Sequence, residues 1–107
     1  MGQFRGGMNE LMRQAARLQR RVEEKKKEVA DKELVSTSVG DKVKATVTYS
    51  GKVSKVEIDP EFLASEGLEL ALDGVVAAVN AGLEQAEKAM EAEVEKVTGG
   101  VKIPGLT

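Results

Sequence analysis

Two long segments whose apolar residues recur at spacings of three and four constrain the fold of this chain most strongly. Side chains three and four positions apart share one face of a helix, so the first segment predicts a helix over residues 8–32. Residues 1–7 include three glycines and are expected to form a flexible start. The apolar series of the first helix, which Lys25 interrupts once, consists of Met8, Leu11, Ala15, Leu18, Val22 and Val29.

The second segment predicts helical structure over residues 59–98. Asp59 and Pro60 form a helix-start signal, because Asp accepts hydrogen bonds from free amides and Pro fits the first helical position. Residues 65–67 (SEG) end a short first helix, and a long one follows. The apolar series of that long helix, with one polar step at Glu93, consists of Leu72, Val76, Val79, Leu83, Ala86, Met90 and Val97.

The residues between the two helical segments, 33–58, predict a three-stranded antiparallel sheet. β-branched and polar residues alternate there, as they do in half-buried strands, and glycine-containing turns separate the strands. In the third strand, Val56 and Ile58 are expected on one face and Val53 on the other. The expected strands cover Glu33–Ser38, residues 43–49 and residues 52–58.

The order helix, three strands, helix places the chain in the α+β class, as one α-β-β-β-α domain over residues 1–107 with an extended tail at 99–107. Six-residue strands give a sheet only ~20 Å long, whereas a helix over residues 8–32 is ~37 Å long. The helices therefore extend beyond the sheet and expose apolar residues to water. A homodimer would cover them; the alternative is that the two helices bury each other within one chain.

The chain contains no cysteine and no histidine. This excludes disulfides, thiolate metal sites and the His-dependent nucleophiles of many hydrolases. Catalysis by carboxylates or lysines alone stays possible, but the expectation is no enzyme, no metal and no cofactor. Because no apolar run approaches the ~20 residues of a membrane span and no signal-peptide core is present, a cytoplasmic protein is expected.

The net charge of −2 hides an asymmetry between the two ends of the chain. Residues 1–32 contain nine basic and five acidic side chains, a net charge of +4, whereas residues 33–107 contain seven basic and thirteen acidic ones, a net charge of −6. Binding depends on the local field rather than on the total charge. The basic end is therefore the candidate for contact with nucleic acid.

Basic residues of the first helix are the candidate DNA-binding residues. Arginines at positions i, i+4, i+7 and i+8 share one side of a helix, and clustered cations bind DNA by releasing its counterions. The alternative is a solvated face whose cations pair with glutamates of the same helix. With three aromatic residues in the chain and no helix-turn-helix or zinc-finger pattern, base-specific recognition is not indicated. The candidates are Arg13, Arg17, Arg20, Arg21, Lys25, Lys26 and Lys27.

Other polar or small positions have structural interpretations. Asp59, which follows Glu57 closely, is interpreted as a helix cap rather than as half of a catalytic carboxylate pair. Gly82 is expected to permit close helix approach. Asn80 is expected to make a buried hydrogen bond or a register-setting contact rather than to bind a ligand.

Four stretches of the chain resemble the YbaB/EbfC family of bacterial nucleoid-associated proteins. They are residues 6–15 (GGMNELMRQA), residues 56–60 (VEIDP), residues 76–81 (VAAVNA) and the Gly- and Pro-containing tail. Their order and spacing match across nearly the whole chain. The resemblance implies a tweezer-like homodimer that binds DNA through its helices in the bacterial nucleoid, and no catalytic activity.

The second helix departs from what the resemblance implies, because beyond Gly82 it is acidic apart from Lys88 and Lys96. DNA contact is therefore assigned only to the seven basic residues of the first helix, chiefly to phosphates and with little sequence preference. Two alternatives stay open. The chain is a protein–protein adaptor with incidental nucleic-acid binding, or RNA is the ligand.

Overall fold

A computed structural model shows the predicted order of elements, and the α-β-β-β-α fold class is confirmed. The structure describes residues 2–99, and of residues 2–6 only the backbone. The molecule is elongated, 76 Å long and 19 by 16 Å across. Its elements are α1 (Gly2–Val29), β1 (Glu33–Ser38), β2 (Val43–Thr48), β3 (Val53–Ile58), α2 (Pro60–Glu66) and α3 (Leu68–Thr98).

The first helix begins earlier than the sequence suggested. It starts at Gly2, so the start at residue 8 is wrong, and the flexible segment expected at residues 1–7 has helical backbone from Gly2 onward. Once a helix has nucleated, each added residue gains a backbone hydrogen bond. That gain offsets the ~1 kcal/mol that each glycine costs relative to alanine.

The same helix ends at Val29, three residues before the expected end at Lys32. The Lys32 carbonyl accepts a hydrogen bond from the Tyr49 amide at 2.8 Å. The Ala30 carbonyl accepts one from the Ser50 amide at 3.2 Å. These bonds attach the chain to the turn that follows β2. The chain therefore enters the sheet here instead of making another helical turn.

The strands form one antiparallel sheet in the order β1-β2-β3, as predicted. In the central strand, Val43, Ala45 and Val47 are fully buried beneath α3, because alternate residues of a strand point to the same face. Val43 and Ala45 form the core cluster together with Ala78 of α3. The half-buried side chains that pack against this cluster are Ile58, Phe62, Val75 and Val79.

A β-bulge changes the faces of β3. The register shifts between Thr46 and Val47, which leaves Ser54 as an extra residue and pairs Val47 with Val53. Residues directly opposite each other lie on the same face of a sheet, and Val47 is on the face that α3 covers. The expectation that Val53 faces away from Val56 is therefore wrong, because the bulge brings Val53 back to the helix-covered face.

The short helix α2 has the predicted cap. The Asp59 carboxylate accepts hydrogen bonds from the Glu61 amide at 2.8 Å and from the Phe62 amide at 3.3 Å. Pro60 occupies the first helical position, where its missing N–H costs nothing. Gly67, with φ of 89°, separates α2 from α3. Asp59 is thus a structural residue, as expected.

The long helix α3 packs on the sheet mainly through its smallest residues; of the apolar series predicted for it, Val79 packs against the core cluster and Ala86 is buried. Leu72 and Val76 of that series are 51% and 59% exposed. The prediction was based on the large apolar residues of the helix. The helix lies so close to the sheet, however, that only residues with a small side chain or none fit between them. The buried residues of α3 are Ala71, Gly74, Ala78, Gly82, Ala86 and Glu93.

Two glycines allow this close approach. A Cβ atom at Gly74 would lie 3.0 Å from side-chain methyls of both Val39 and Val43. The Ser38 hydroxyl also donates a hydrogen bond to the Gly74 carbonyl at 2.6 Å. A Cβ atom at Gly82 would lie 3.2 and 3.3 Å from side chains of β1 and β2. Gly82 permits close approach as expected, although its neighbour is the sheet rather than a helix.

Beyond the sheet, α3 pairs with the C-terminal part of α1. Because α1 runs toward the sheet and α3 leaves it at the same end, the two helices are antiparallel, and they bury each other in part. Val22 and Val29 of α1 are 0% and 1% exposed. The predicted stop of α3 is confirmed at Gly99, which has φ of 62° and donates its N–H to the Glu95 carbonyl. The expected extended tail lies outside the described residues from residue 100 onward.

Candidate nucleic-acid interface

The N-terminal part of α1 projects from the body of the molecule. Every side chain from residue 7 to residue 21 is exposed except Leu18, which is half-buried; this segment is called the arm. It is helical because good helix formers (Arg, Gln, Ala, Leu, Met) fill it. A helix that is open on most sides can lie against an extended ligand along its length.

Three arm arginines form a basic stripe along one side of the helix. At ~100° per residue, Arg13, Arg17 and Arg20 fall within ~60° of one another. The buried Val22, which faces α3, lies about half a turn away from them. The basic stripe therefore points away from the rest of the molecule, and Arg21 lies beside it.

These arginines have few partners. Arg13 lies 3.9 Å from Glu10, and both side chains are more than half exposed, so this contact contributes little free energy. Within residues 7–99, no ion pair involves Arg17, Arg20 or Arg21. Their guanidinium groups are available for an anionic ligand.

The predicted lysines are placed differently from the arginines. Lys25 is only 22% exposed, and its Nζ lies 3.7 Å from a Glu93 carboxylate oxygen and 3.9 Å from one of Glu28. Lys26 is half-buried. Lys27 is exposed and falls about 20° from Arg20 around the helix. The structure thus groups Lys27 with the basic stripe and joins Lys25 to α3.

Glu93 is the centre of a charged cluster between α1 and α3. Its side chain is 10% exposed, and the Nζ atoms of three lysines surround it, Lys96 at 3.0 Å, Lys25 at 3.7 Å and Lys32 at 3.8 Å. The hydrogen bond from Lys96, followed by the charges of Lys32, Lys96 and Lys25, lowers the pKa of Glu93 although burial opposes this. Glu93 therefore stays ionised and helps to hold the base of the arm.

Sequence reasoning missed this cluster, although a signal for it was present. Each of the two apolar series has one interruption, at Lys25 in the first helix and at Glu93 in the second. These two residues contact each other in the structure. A single cation and a single anion that interrupt two pairing apolar series are thus an indication of an antiparallel helix pair and of its register.

The exposed face of α3 is acidic where it leaves the sheet. Lys88 on this face lies 3.7 Å from Glu84, and both are exposed. Such a face repels phosphate, so the structure gives no reason to extend DNA contact to it. Its exposed acidic residues are Glu84, Glu87, Glu91 and Glu95.

Other kinds of site have little support in residues 2–99. No helix there is long and apolar enough to cross a membrane, and no group of three potential metal-ligating side chains lies together in the same range. Glu57 pairs with Lys55 at 2.9 Å on the exposed sheet surface. Asn80 is exposed, so the buried hydrogen bond expected for it is wrong; its position on α3 points away from the sheet.

Two bacterial nucleoid-associated proteins are similar to this chain over almost its whole length. A nucleoid-associated protein of Clostridium acetobutylicum is 37% identical over 101 residues, which cover 94% of this chain and 90% of that protein. A nucleoid-associated protein of Thermoanaerobacter pseudethanolicus is 35% identical over 107 residues, which cover 98% and 96% of the two chains.

A solved structure and a family model agree with these relatives. The crystal structure of an uncharacterised Helicobacter pylori protein shares the fold, with a TM-score of 0.66 at 18% identity, over 83% of this chain and 94% of that one. The model of the YbaB/EbfC DNA-binding family matches residues 4–101. The chain, with its basic helical arm, therefore belongs to the YbaB/EbfC DNA-binding family.

Proposed function

We propose that this protein is a non-enzymatic, nucleoid-associated DNA-binding protein that acts as a homodimer and contacts phosphates through the arm. The observation that supports this most directly is the basic stripe of Arg13, Arg17 and Arg20 on a projecting helix, opposite to the side that packs. Arg21 and Lys27 extend the proposed contact. The names of the relatives support a place in the bacterial nucleoid.

The expected binding mode is phosphate contact with little sequence preference. Arginine forks match phosphate oxygens, and neutralised phosphates release counterions. Arginines can also read guanine edges in the major groove, but the chain has no helix-turn-helix or zinc-finger pattern that would place them there. Lys25 and Lys26, which belong to the predicted set, are secondary in this proposal. Lys25 is engaged by Glu93, and Lys26 is half-buried.

A homodimer is supported by an apolar stripe on the first half of α3. Leu68, Leu72 and Val76 are 62%, 51% and 59% exposed, and their spacing of four places them on one side of the helix. The later members of the same series, Leu83, Ala86, Met90 and Val97, are buried or half-buried. Exposed apolar stripes of this kind mark interaction surfaces, and a two-fold axis through this one would place two arms on one assembly.

The test is fluorescence-anisotropy binding of a short random-sequence duplex over a salt series. The double variant Arg17→Glu/Arg20→Glu should bind at least ~tenfold more weakly, a loss of about 1.4 kcal/mol. The dependence of log K on log salt should also become shallower, by about one unit for each phosphate that the variant no longer neutralises.

A matched control distinguishes the effect of charge in the arm from the effect of the net charge of the protein. Lys52→Glu/Lys88→Glu changes the net charge equally at two exposed positions outside the arm, and it should weaken binding much less. Equal losses in both variants would show that the arm is not the contact surface. No binding by the unmodified protein at low salt would favour the adaptor function, with the acidic face of α3 as the surface to test.

A further inference from the structure

The acidic face of α3 and the basic stripe of α1 lie on opposite outer sides of the helix pair. At ~100° per residue, Glu84, Glu87 and Glu91 fall within ~60° of one another. Glu93, which contacts α1 through Lys25, lies nearly half a turn away from them. The acidic face therefore points away from α1, just as the basic stripe points away from α3.

The spacing of the two sets of charges matches in one relative direction. Along the arm, successive arginines of the basic stripe are four and then three residues apart. Against the chain direction of α3, Glu91, Glu87 and Glu84 are also four and then three residues apart. In a parallel pair, at most two of the three arginines come level with a glutamate of this face. The pairs that an antiparallel arrangement brings level are Arg13 with Glu91, Arg17 with Glu87 and Arg20 with Glu84.

The basic stripe cannot reach the acidic face of its own chain. The contact between Lys25 and Glu93 sets the register of the helix pair. Arg17 lies eight residues before Lys25, and Glu87 lies six residues before Glu93. In an antiparallel pair these two separations add, so Arg17 and Glu87 are ~21 Å apart along the axis and on opposite sides of it. A second copy is needed to bring the two surfaces together.

We propose that the acidic face of α3 binds the arm of a second copy of this chain in antiparallel orientation. Because α1 and α3 are already antiparallel within one chain, both copies then have the same orientation. The second copy is shifted sideways by two helix-to-helix distances, ~20 Å in all, which is comparable with the 19 Å width of the molecule. The two bodies therefore lie side by side. The contact is heterologous, so a free arm stays at one end of the assembly and a free acidic face at the other.

The charges of the two surfaces are complementary and mostly unpaired. The arm has four arginines and Glu10, a net charge of +3, and the acidic face has four glutamates and Lys88, a net charge of −3. Within residues 7–99, the ion pair of this face is the one between Lys88 and Glu84, whose side chains are 74% and 71% exposed. Each exposed ion pair contributes little, but several in register add up, and salt screens them. The contact between copies is therefore weak and sensitive to salt.

The first test is sedimentation equilibrium at low and at high salt, without DNA. The unmodified protein should form assemblies larger than a dimer at low salt, and these should dissociate as salt screens the charges. Neutralising the acidic face with Glu84→Gln/Glu87→Gln/Glu91→Gln should weaken this association at least ~tenfold.

The matched control for this test changes the net charge equally at exposed positions outside the acidic face. It should alter the association by less than about threefold. No salt-sensitive association of the unmodified protein, or equal losses in the two variants, would overturn the proposal. The control variant is Glu61→Gln/Glu66→Gln/Glu69→Gln.

The second test checks the register by chemical cross-linking, for which the chain is suited because it has no cysteine of its own. Chains with Arg17→Cys are mixed with chains with Glu87→Cys and treated with a short bis-maleimide. Links between unlike chains should form at least ~fivefold faster than with Gln85→Cys, because proximity raises the effective concentration. Gln85 is exposed and lies ~160° from Glu87 around α3. Equal rates with the two partners would overturn the proposed register.

A consequence for DNA binding rests on the proposed function. If the arm binds phosphates, DNA and the acidic face compete for the same arginines. An excess of random-sequence duplex should then lower the yield of linked Arg17→Cys and Glu87→Cys chains at least ~fivefold. An unchanged yield with bound duplex would show that DNA and the acidic face do not share the arm. A failure to bind DNA would contradict the proposed function, whereas the contact between copies is measured without DNA and fails or holds separately.

Discussion

At the scale of single residues, the charged cluster around Glu93 shows how far sequence reasoning can reach. The two interruptions of the apolar series were visible, but they indicate an ion pair only if the two helices pack against each other, and the sequence left open whether they do so within one chain. The bulge at Ser54 was equally hidden. An extra residue in one strand leaves no mark on the alternation of its neighbours, so Val53 was assigned to the wrong face.

Replacing Glu93 should destabilise the protein in a pH-dependent way. Glu93→Gln removes the anion and leaves Lys25, Lys32 and Lys96 close together, so at pH 7 the free energy of unfolding should fall. The pKa of Glu93 is lowered by these lysines, so its ionised form contributes stability above the ordinary carboxyl value, near 4.5. That contribution is lost as the pH falls through the lowered pKa.

Urea unfolding from pH 7 to pH 3 measures this difference. The difference in unfolding free energy between the unmodified protein and Glu93→Gln should narrow toward the acidic end, as protonation removes the charge of Glu93. Glu91→Gln, an exposed neighbour on the same helix, should show little gap at any pH. A gap for Glu93→Gln that persisted unchanged at pH 3 would contradict the role given to its charge.

At the scale of elements, the strands were predicted well and the packing face of α3 was not. Alternation in β2 marks burial on one face directly, since Val43, Ala45 and Val47 all lie beneath a helix. In α3 the predicted face consisted mainly of large apolar residues, and of the small residues that meet the sheet only Gly82 was singled out. The side of α3 that lies on the sheet consists mainly of small residues. The sequence pattern alone does not show that close packing between helix and sheet decides this, rather than the amount of apolar surface that is buried.

Filling the space at Gly74 should therefore destabilise the contact between helix and sheet. Gly74→Ala places a methyl 3.0 Å from side-chain atoms of Val39 and Val43, and overpacking of this kind costs about 1–3 kcal/mol. Gly7→Ala is the control. Gly7 is helical with nothing within 4 Å of an added Cβ, so alanine there should raise stability by up to ~1 kcal/mol.

Thermal or urea unfolding of the two variants decides between packing and propensity. We expect the free energy of unfolding to fall for Gly74→Ala and to rise for Gly7→Ala. If Gly74→Ala were as stabilising as Gly7→Ala, helix propensity would dominate at both positions, and α3 would not need its small residues to lie on the sheet.

At the scale of the whole molecule, the sequence indicated that the long helices extend beyond a short sheet. The structure shows where they do so. The first half of α3 and the arm each keep an apolar stripe open, at opposite ends of an elongated body. The basic stripe was predicted as a set of residues, but its separation from Lys25 was not, because that separation depends on which side of α1 meets α3.

A change on the open stripe of α3 should affect assembly and not folding. Leu72→Glu places a charge among Leu68 and Val76, so the homodimer should dissociate to monomers. Ala77→Glu introduces the same charge at an exposed position on another side of the same helix, and the dimer should persist. Sedimentation velocity measures both, with circular dichroism to confirm that each variant is folded. A monomeric unmodified protein at micromolar concentration would contradict the dimer.

The ion pair between Lys25 and Glu93 joins residues 68 positions apart, and this has a consequence for biosynthesis. The first helix leaves the ribosome well before its covering surface on α3 is made. Val22 and Val29 therefore stay uncovered while the sheet and the first part of α3 are made. During that interval the newborn chain presents a basic, partly apolar helix at the ribosome surface, and its fold closes only when the end of α3 has emerged.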